Sequence, residues 1–333
     1  MRFVTIAALL CSVLGACQQR TPFEQYEFSG PTMGTTLNVK VVDVPAGVSL
    51  DETQRLLRET LDNFEQLTST YMEASELTRF NTTATTDWVT VSPLLCKVVA
   101  EAQELSLQTR GAFDITVGPL VNLWGFGPAG SRSEPPTTAE IEALLPRIGF
   151  DKIQADCEIP ALRKAHADLY IDLSAWAKGY AADILADLLV ANGIDNFLVE
   201  VGGEVRVQGI NSSGKDWAVA VEKPMPNGRE VQTVLNISNT GLATSGDYRN
   251  YFEHDGLRYS HTIDPRNGRP VTHKLASVTV IHKSAAKADG LATALLVLGP
   301  KDGPNLAREL GVEAVFLLRT PQGIEALTSP QID

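Results

Sequence analysis

The segment SHTIDPRNGRP, residues 260–270, holds a histidine, His261, just before a turn rich in proline, asparagine and glycine. Pro265 fixes one backbone angle and Asn267-Gly268 favours left-handed conformations, so a rigid turn is predicted here. A rigid turn keeps a side chain in one place, as a general base requires. From its position alone, His261 either closes the turn or accepts a proton.

Asp289 and Thr293 are polar exceptions in a segment that is otherwise strongly apolar. Residues 291–298 are apolar on every side, which predicts a buried helix. The two polar residues are four apart and therefore lie on one face, one turn from each other. Two interpretations stand: a helix-start aspartate with a threonine bonding back to its own helix, or oxygen ligands for a hard cation such as Mg²⁺.

The segment YIDLSAWAKGYAAD, residues 170–183, places polar residues between a predicted strand and a predicted helix. Asp172 falls at the strand end and Ser174 at the helix start, where backbone groups are free to bind a ligand. Lys178 follows one turn later and adds a positive charge. Taken alone, Ser174 is interpreted as an N-cap.

Two catalytic motifs are matched only by chance. The stretch GFGPAG, residues 125–130, has the glycine spacing of a dinucleotide site, but Pro128 interrupts it and no helix is predicted to follow. The stretch SAAK, residues 284–287, resembles a penicillin-binding motif without the K-T-G strand that this chemistry needs. Ser284 is therefore interpreted as a helix cap.

Composition excludes one class of partner. The 333 residues are 44% hydrophobic and 20% charged, which is typical of a folded protein, and the net charge is −12. A nucleic-acid-binding protein needs a basic face, so no nucleic acid is expected. An acidic protein that handles phosphates needs local help from a metal ion or helix N-termini.

The N-terminus resembles a bacterial lipoprotein signal. Arg2 precedes a short apolar run that ends in LGAC, so residues 1–16 are predicted to be a signal peptide and Cys17 the acylated first residue. An ordinary secretory signal is the alternative. Residues 17–25 would form a tether, which predicts a lipid-anchored membrane lipoprotein facing the periplasm, with the choice of outer or inner membrane left open. Cys96 and Cys157 remain in the mature chain, and their pairing is also left open.

Helical and strand patterns alternate without a strict parallel rhythm, which predicts an α+β fold with largely antiparallel sheets. Residues 26–333 are predicted to form a single large domain. Residues 111–136 are predicted to be a non-helical binding loop. Helices are predicted at 51–68, 92–109 with Ser92 as N-cap, 175–193, 288–299 and 303–310, and a short helix after the capping box of Thr137 and Glu140. Strands are predicted at 35–42, 168–174, 196–200, 204–209, 217–222, 231–238, 275–282 and 312–319, and a hairpin at 251–263 with its turn at Asp255-Gly256.

Eight segments, in order, resemble one family. They are PTMGTTLNVKV, STYMEASELTRFN, GAFDITVGPLVNLWGFG, YIDLSAWAKGYAAD, LVEVGGEVRVQG, ATSGDYRNYF, SHTIDPRNGRP and ADGLATALLVLG. Together they resemble the ApbE family of FAD:protein FMN transferases, which implies an ApbE-like, T-fold-like domain. The implied reaction moves FMN from FAD to a threonine or serine hydroxyl of an acceptor protein, forming a phosphoester and releasing AMP. The alternatives are an FAD pyrophosphatase that yields FMN and AMP, and a non-catalytic flavin-binding lipoprotein.

The resemblance also implies roles for particular residues. His261 would be the base that accepts the hydroxyl proton. The implied Mg²⁺ ligands are the side chains of Asp289 and Thr293 and the carbonyl oxygen of Ala175. The implied contacts to FAD, the substrate, are made by Met33, Tyr71, Ala112, Phe113, Asp114, Asp172, Lys178 and Ile263.

The family's partners are membrane redox complexes. The expected acceptors are flavin-bearing subunits of the sodium-translocating NADH:quinone oxidoreductase or of related complexes. The membrane itself would be contacted through the lipid anchor.

Overall fold

The computed structural model describes residues 23–225, 228 and 230–329. The predicted signal peptide, residues 1–16, and the predicted lipidation site, Cys17, lie outside the described residues. The first strand already begins at Gln25. None of the helices in the described ranges is long and apolar enough to cross a membrane.

The bounds of the elements are as follows. The strands are β1 (Gln25–Thr32), β2 (Thr35–Val42), β3 (Val89–Thr90), β4 (Ile153–Asp156), β5 (Ala161–Lys164), β6 (Phe197–Val201), β7 (Glu204–Gln208), β8 (Trp217–Glu222), β9 (Val231–Ile237), β10 (Thr240–Gly246), β11 (Tyr251–His254), β12 (Leu257–Ser260), β13 (Ile263–Asp264), β14 (Arg269–Pro270), β15 (Leu275–His282), β16 (Glu313–Thr320) and β17 (Gly323–Ser329). The helices are α1 (Leu50–Thr68), α2 (Glu76–Thr82), α3 (Pro93–Gln108), α4 (Gly118–Leu123), α5 (Thr138–Leu144), α6 (Ala177–Ala191) and α7 (Ala285–Leu310).

A central sheet of eight strands organises these elements. Its order is β1-β2-β6-β7-β10-β15-β16-β17, and every neighbouring pair is antiparallel. The prediction of an α+β fold with largely antiparallel sheets is therefore confirmed.

The two faces of the sheet are covered differently. Helices α1, α3, α6 and α7 bury their apolar faces against one side and form the main core with residues such as Val39 and Val199. The β8–β9 hairpin lies on the opposite side, where Trp217 packs on Val205 and Val207. Successive side chains of a strand point to opposite faces of the sheet. A single strand can therefore contribute residues to the main core on one face and to the smaller core under the β8–β9 hairpin on the other.

A third, smaller apolar cluster lies apart from the sheet. Leu120 of α4, Trp124 at its C-cap and Ile263 are buried in it, and the rings of Phe252 and Tyr259 on the β11–β12 hairpin pack against them. This cluster joins α4 to the hairpin that precedes His261.

Helix α7 is bent rather than continuous. Gly299 has φ 78°, which breaks the helical path inside the element. A side chain here would meet His273 Cδ2 at 2.6 Å, so only glycine fits. The two helices predicted from the sequence, 288–299 and 303–310, are thus the two arms of α7.

The predicted strand at 168–174 is wrong. The Asn81 side chain accepts from the Ile171 N–H and donates to the Ile171 carbonyl, both at 2.8 Å, and the Asp172 N–H donates to the Ile115 carbonyl at 2.7 Å. Because a side chain and a loop satisfy this backbone, it needs no neighbouring strand. The helix that follows begins at Ala177 rather than at residue 175.

The predicted non-helical character of residues 111–136 is wrong in part, because α4 lies within this stretch. Pro119 at the start of α4 suits the first turn of a helix, where no backbone N–H partner is required.

A disulfide joins Cys96 of α3 to Cys157, in the turn between β4 and β5. It closes a loop with a sequence separation of 61 residues. The bond fixes the small β3-β5-β4 sheet to the helical layer.

We expect the double substitution Cys96→Ala/Cys157→Ala to lower the free energy of unfolding by about 4 kcal/mol, because the unfolded chain regains the entropy of the open loop. Urea unfolding of the oxidised full chain measures this. Dithiothreitol should lower the stability of the wild type to that of the variant and leave the variant unchanged. Equal stability of oxidised wild type and variant would contradict the expectation.

Candidate active site

A cavity of about 450 Å³ opens where the ends of α6 and α7 meet β10 and the β11–β12 hairpin. It contains nearly every residue that the family resemblance implied. Those lining it are Tyr71, Ala112, Phe113, Asp114, Asp172, Ala175, Lys178, His261, Ile263, Asp289 and Thr293.

Met33 is the exception. It lies in the turn between β1 and β2 with φ 46°, followed by Gly34 with φ 69°. Its side chain packs against the main core and is not among the residues lining the cavity. The structure therefore does not bring Met33 together with the other implied FAD contacts.

The oxygen atoms of Asp289 and Thr293 lie near the start of α7, on the side that faces β10. The Asp289 side chain is buried, and its Oδ2 accepts from the Gly179 N–H at 3.3 Å. The Thr293 hydroxyl shares a hydrogen bond of 2.9 Å with Ser245 Oγ of β10. The N-cap of α7 is Ser284, not Asp289. The helix-start interpretation of Asp289 is therefore wrong.

These atoms suit a hard cation. A carboxylate, a hydroxyl and the carbonyl of Ala175 are oxygen donors of the kind that Mg²⁺ prefers, and so few of them leave room for water or phosphate. No group of three or more His, Cys, Asp or Glu side chains able to hold a metal occurs among the described residues.

Lys178 lies between Asp289 and a second carboxylate, Glu204. Its Nζ is 3.4 Å from Glu204 Oε1 and 3.8 Å from Asp289 Oδ2, and it donates to the Ser174 carbonyl at 3.0 Å. Burial acts to lower the pKa of Lys178, but the two carboxylates outweigh it and leave the pKa raised. Lys178 is therefore charged. Burial raises the pKa of Asp289 and of Glu204, while Lys178 opposes that change.

Sequence reasoning missed Glu204. It is the first residue of β7 and follows the left-handed Gly202 and Gly203, which form the turn from β6. A charged residue at the buried start of an apolar strand, directly after a double glycine, is the signal that was available.

Asp172 and Asp114 organise the loops around the cavity. Asp172 Oδ1 accepts a hydrogen bond from the Ser174 N–H at 2.8 Å, which places Ser174 in a local turn. The N-cap of α6 is Trp176, so the prediction that Ser174 is the N-cap is wrong. Asp114 accepts from the N–H and hydroxyl of Thr116 and from the Phe150 N–H, at 2.6 to 2.9 Å. Burial raises the pKa of Asp114, and these hydrogen bonds oppose it.

His261 follows β12 and is held by one carbonyl. Its backbone N–H and its ring Nδ1 both lie 3.0 Å from the Asn250 oxygen. Because that oxygen can only accept, we assign the ring proton to Nδ1, which leaves Nε2 as a proton acceptor. Burial lowers the pKa of His261, although the Asn250 carbonyl acts in the opposite direction. The neutral ring required of a base is therefore favoured near pH 7.

The predicted turn after His261 is confirmed. Asp264 accepts from the backbone N–H of Arg266 at 3.0 Å, and its carbonyl accepts from Gly268 at 2.8 Å. Of Asn267 and Gly268, only Gly268 is left-handed, with φ 72°. Trp124 Nε1 donates to the Gly268 carbonyl at 2.8 Å and so ties the turn to α4.

The fold and cavity define an antiparallel α+β protein with an oxygen-donor site and a neutral histidine. The model of the ApbE family matches residues 33–316. A relative from Vibrio cholerae, named FAD:protein FMN transferase, is 42% identical over 98% of this chain and 96% of its own length. A relative of the same name from Haemophilus influenzae is 40% identical over 97% of this chain and 94% of its own. The chain belongs to the ApbE family.

Solved structures of ApbE proteins have the same fold as this chain. The flavin transferase ApbE from Vibrio cholerae superposes with a TM-score of 0.86 at 41% identity, covering 93% of this chain and 98% of that one. The flavinyl transferase ApbE from Pseudomonas stutzeri gives a TM-score of 0.84 at 38% identity, covering 93% of this chain and 96% of that one. The resemblance read from the eight segments is confirmed.

We expect the His261 ring to titrate below its ordinary value of 6.5, because burial disfavours the charged form. NMR of ¹³C-labelled histidines in the full chain measures the midpoint, with His261→Ala identifying the resonance. A midpoint above 6.5 would contradict this expectation.

Proposed function

We propose that this chain is a Mg²⁺-dependent enzyme that transfers FMN from FAD to a threonine or serine hydroxyl of an acceptor protein and releases AMP. The relatives' name, FAD:protein FMN transferase, supports flavin transfer from FAD. The observation that carries the rest is the position of a neutral histidine in the same cavity as the buried Asp289 and the hydroxyl of Thr293.

His261 manages the proton in this mechanism. A threonine hydroxyl is a poor nucleophile until its proton is removed, and Nε2 of His261 has the free lone pair to accept it. The hydroxyl oxygen then bonds to the phosphorus of the FMN half, the bond to the AMP phosphate breaks, and AMP leaves. A positioned base of this kind contributes about 10²- to 10⁴-fold to the rate.

Asp289, Thr293 and the Ala175 carbonyl would hold the metal. When bound, Mg²⁺ offsets pyrophosphate charge and so eases the departure of AMP. Lys178 adds a second positive charge at the same end of the cavity. These local cations matter because the chain carries a net charge of −12, which by itself disfavours a phosphate ligand.

The flavin half of FAD would lie towards the aromatic rim. Tyr71 is 67% exposed beside the cavity, and Phe113 lies deeper in it. Aromatic faces of this kind stack on a flat ring system. Ala112, Asp114, Asp172 and Ile263 complete the implied FAD contacts that line the cavity, and Met33 is the one implied contact outside that lining.

The proposal also includes the cellular location of the enzyme. Acylated Cys17 would hold the domain at the periplasmic face of a bacterial membrane, where its acceptors are expected. These would be flavin-bearing subunits of the sodium-translocating NADH:quinone oxidoreductase or of related redox complexes. The lipobox sequence LGAC and the disulfide, a bond typical of exported proteins, support this.

We expect His261→Ala to retain FAD binding and to lose transfer by about 10²- to 10⁴-fold, since only proton removal is affected. The full chain, FAD, Mg²⁺ and a candidate acceptor domain are mixed, and the acceptor mass gained as FMN is measured. His254→Ala, a change of the same type on the same hairpin but outside the cavity, is the matched control. Unimpaired transfer by His261→Ala would refute the base; free FMN without acceptor modification would indicate hydrolysis, and no product would indicate a flavin-binding protein.

We expect excess EDTA to abolish transfer and added Mg²⁺ to restore it. Asp289→Asn should reproduce the loss at ordinary Mg²⁺ concentrations, because it removes the charged metal ligand. Asp302→Asn, an exposed change in the same helix, should leave transfer intact. Full activity in excess chelator would remove the metal from the proposal.

A further inference from the structure

Two buried carboxylates share one ammonium group at the metal end of the cavity. Asp289 is 4% exposed and Glu204 is 6% exposed. Lys178 is the cation that contacts both, through Nζ. Lys178 compensates one of the two carboxylates, and burial favours the protonated form of the other, because it raises the pKa of Glu204 to about 8.

The two carboxylate oxygens of Glu204 differ in their contacts. Glu204 lines the same cavity, and its Oε1 faces Lys178, but its Oε2 is buried and has no hydrogen-bond partner among the described residues. Asp183 offers a contrast, since it also lies between α6 and α7. Its carboxylate accepts from the Ser284 hydroxyl and from the N–H groups of Ala285 and Ala286, at 2.7 to 3.0 Å. Asp183 therefore satisfies donors at the start of α7, whereas Glu204 satisfies no comparable set of donors in the described residues.

A metal ion at Asp289 would share one carboxylate with Lys178. Oδ2 of Asp289 is the atom nearest the ammonium, so the two cations would compete for one carboxylate and repel each other. Expelling Lys178 into water would lose a positive charge from the phosphate site. The ammonium is already closer to Glu204 than to Asp289.

We propose that Glu204 is the carboxylate to which Lys178 withdraws when a metal ion occupies Asp289. Glu204 thus acts as a positioning residue: it frees Asp289 for the metal and keeps Lys178 inside the cavity. This inference rests on the proposed metal site. Without the charge of Glu204, Lys178 stays on Asp289 and opposes the metal. Without Lys178 there is no competitor, and Glu204 becomes irrelevant to metal affinity.

A double-mutant cycle on metal affinity tests this. Mn²⁺, which takes the same oxygen ligands as Mg²⁺, is titrated into the full chain, and free Mn²⁺ is followed by EPR. Glu204→Gln should weaken binding by about ten- to a hundredfold, as is usual for residues that support a metal ligand. Lys178→Met should bind Mn²⁺ at least as tightly as the wild type. The double variant should match Lys178→Met.

The other outcomes overturn the inference in distinguishable ways. Equal weakening by Glu204→Gln in both backgrounds would mean that Glu204 acts on the metal directly. Unchanged affinity in Glu204→Gln, or weaker affinity in Lys178→Met, would also reject it while leaving the metal site intact. Failure of the wild type to bind Mn²⁺ would remove the metal site and this inference together. Should Glu204→Gln fail to fold, Lys178→Met and Glu204→Asp remain: Glu204→Asp, which keeps the charge, should bind close to wild type, and clearly weaker Mn²⁺ binding by either variant would reject the inference.

Discussion

The close approach of α6 and α7 at Gly179 is the constraint on which the site depends. A Cβ atom at this position would lie 2.3 Å from the Ala285 carbonyl oxygen, so only glycine lets the two helices meet. This contact brings Lys178 beside Asp289 and lets the Gly179 N–H donate to that carboxylate. Asp183, one turn further along α6, accepts from the start of α7 and fixes the same crossing. Lys178 and Asp289 are therefore close together because α6 and α7 cross closely at Gly179.

The cavity joins two chemistries held by separate parts of the fold. Helices α6 and α7 supply Lys178 and Asp289 of the charged end, strand β7 supplies Glu204, and the neutral His261 directly follows the β11–β12 hairpin. The charged end also affects the base, because the positive charge of Lys178 contributes to the lowered pKa of His261. The buried ammonium of Lys178 thus helps to keep the His261 ring neutral.

Sequence patterns predicted the parts that local chemistry decides. Ser92 caps α3, Thr137 and Glu140 form a capping box before α5, and Asp255-Gly256 turns the β11–β12 hairpin with φ 49° and 72°. Each depends on neighbours a few residues apart, which a sequence displays directly.

The sequence did not predict those features that depend on contacts between residues far apart in the chain. The strand expected at 168–174 was wrong because its backbone groups bond to Asn81, some 90 positions earlier. Glu204 becomes significant only beside Lys178, on another element. Strand β10, with two glycines in TGLATSG, has weak strand propensity and forms because β7 and β15 flank it. Most of the site residues came from family resemblance, since spacing alone left His261 and Asp289 with two interpretations each.

The small apolar cluster around Trp124 has a consequence for the local stability of the segment that precedes His261. It joins α4 to the hairpin and is separate from the main core. Parts of a protein with their own core can open without global unfolding, and their amides then exchange with solvent as one group. The amides of α4 and of the β11–β12 hairpin can therefore exchange together while those of the eight-stranded sheet stay protected.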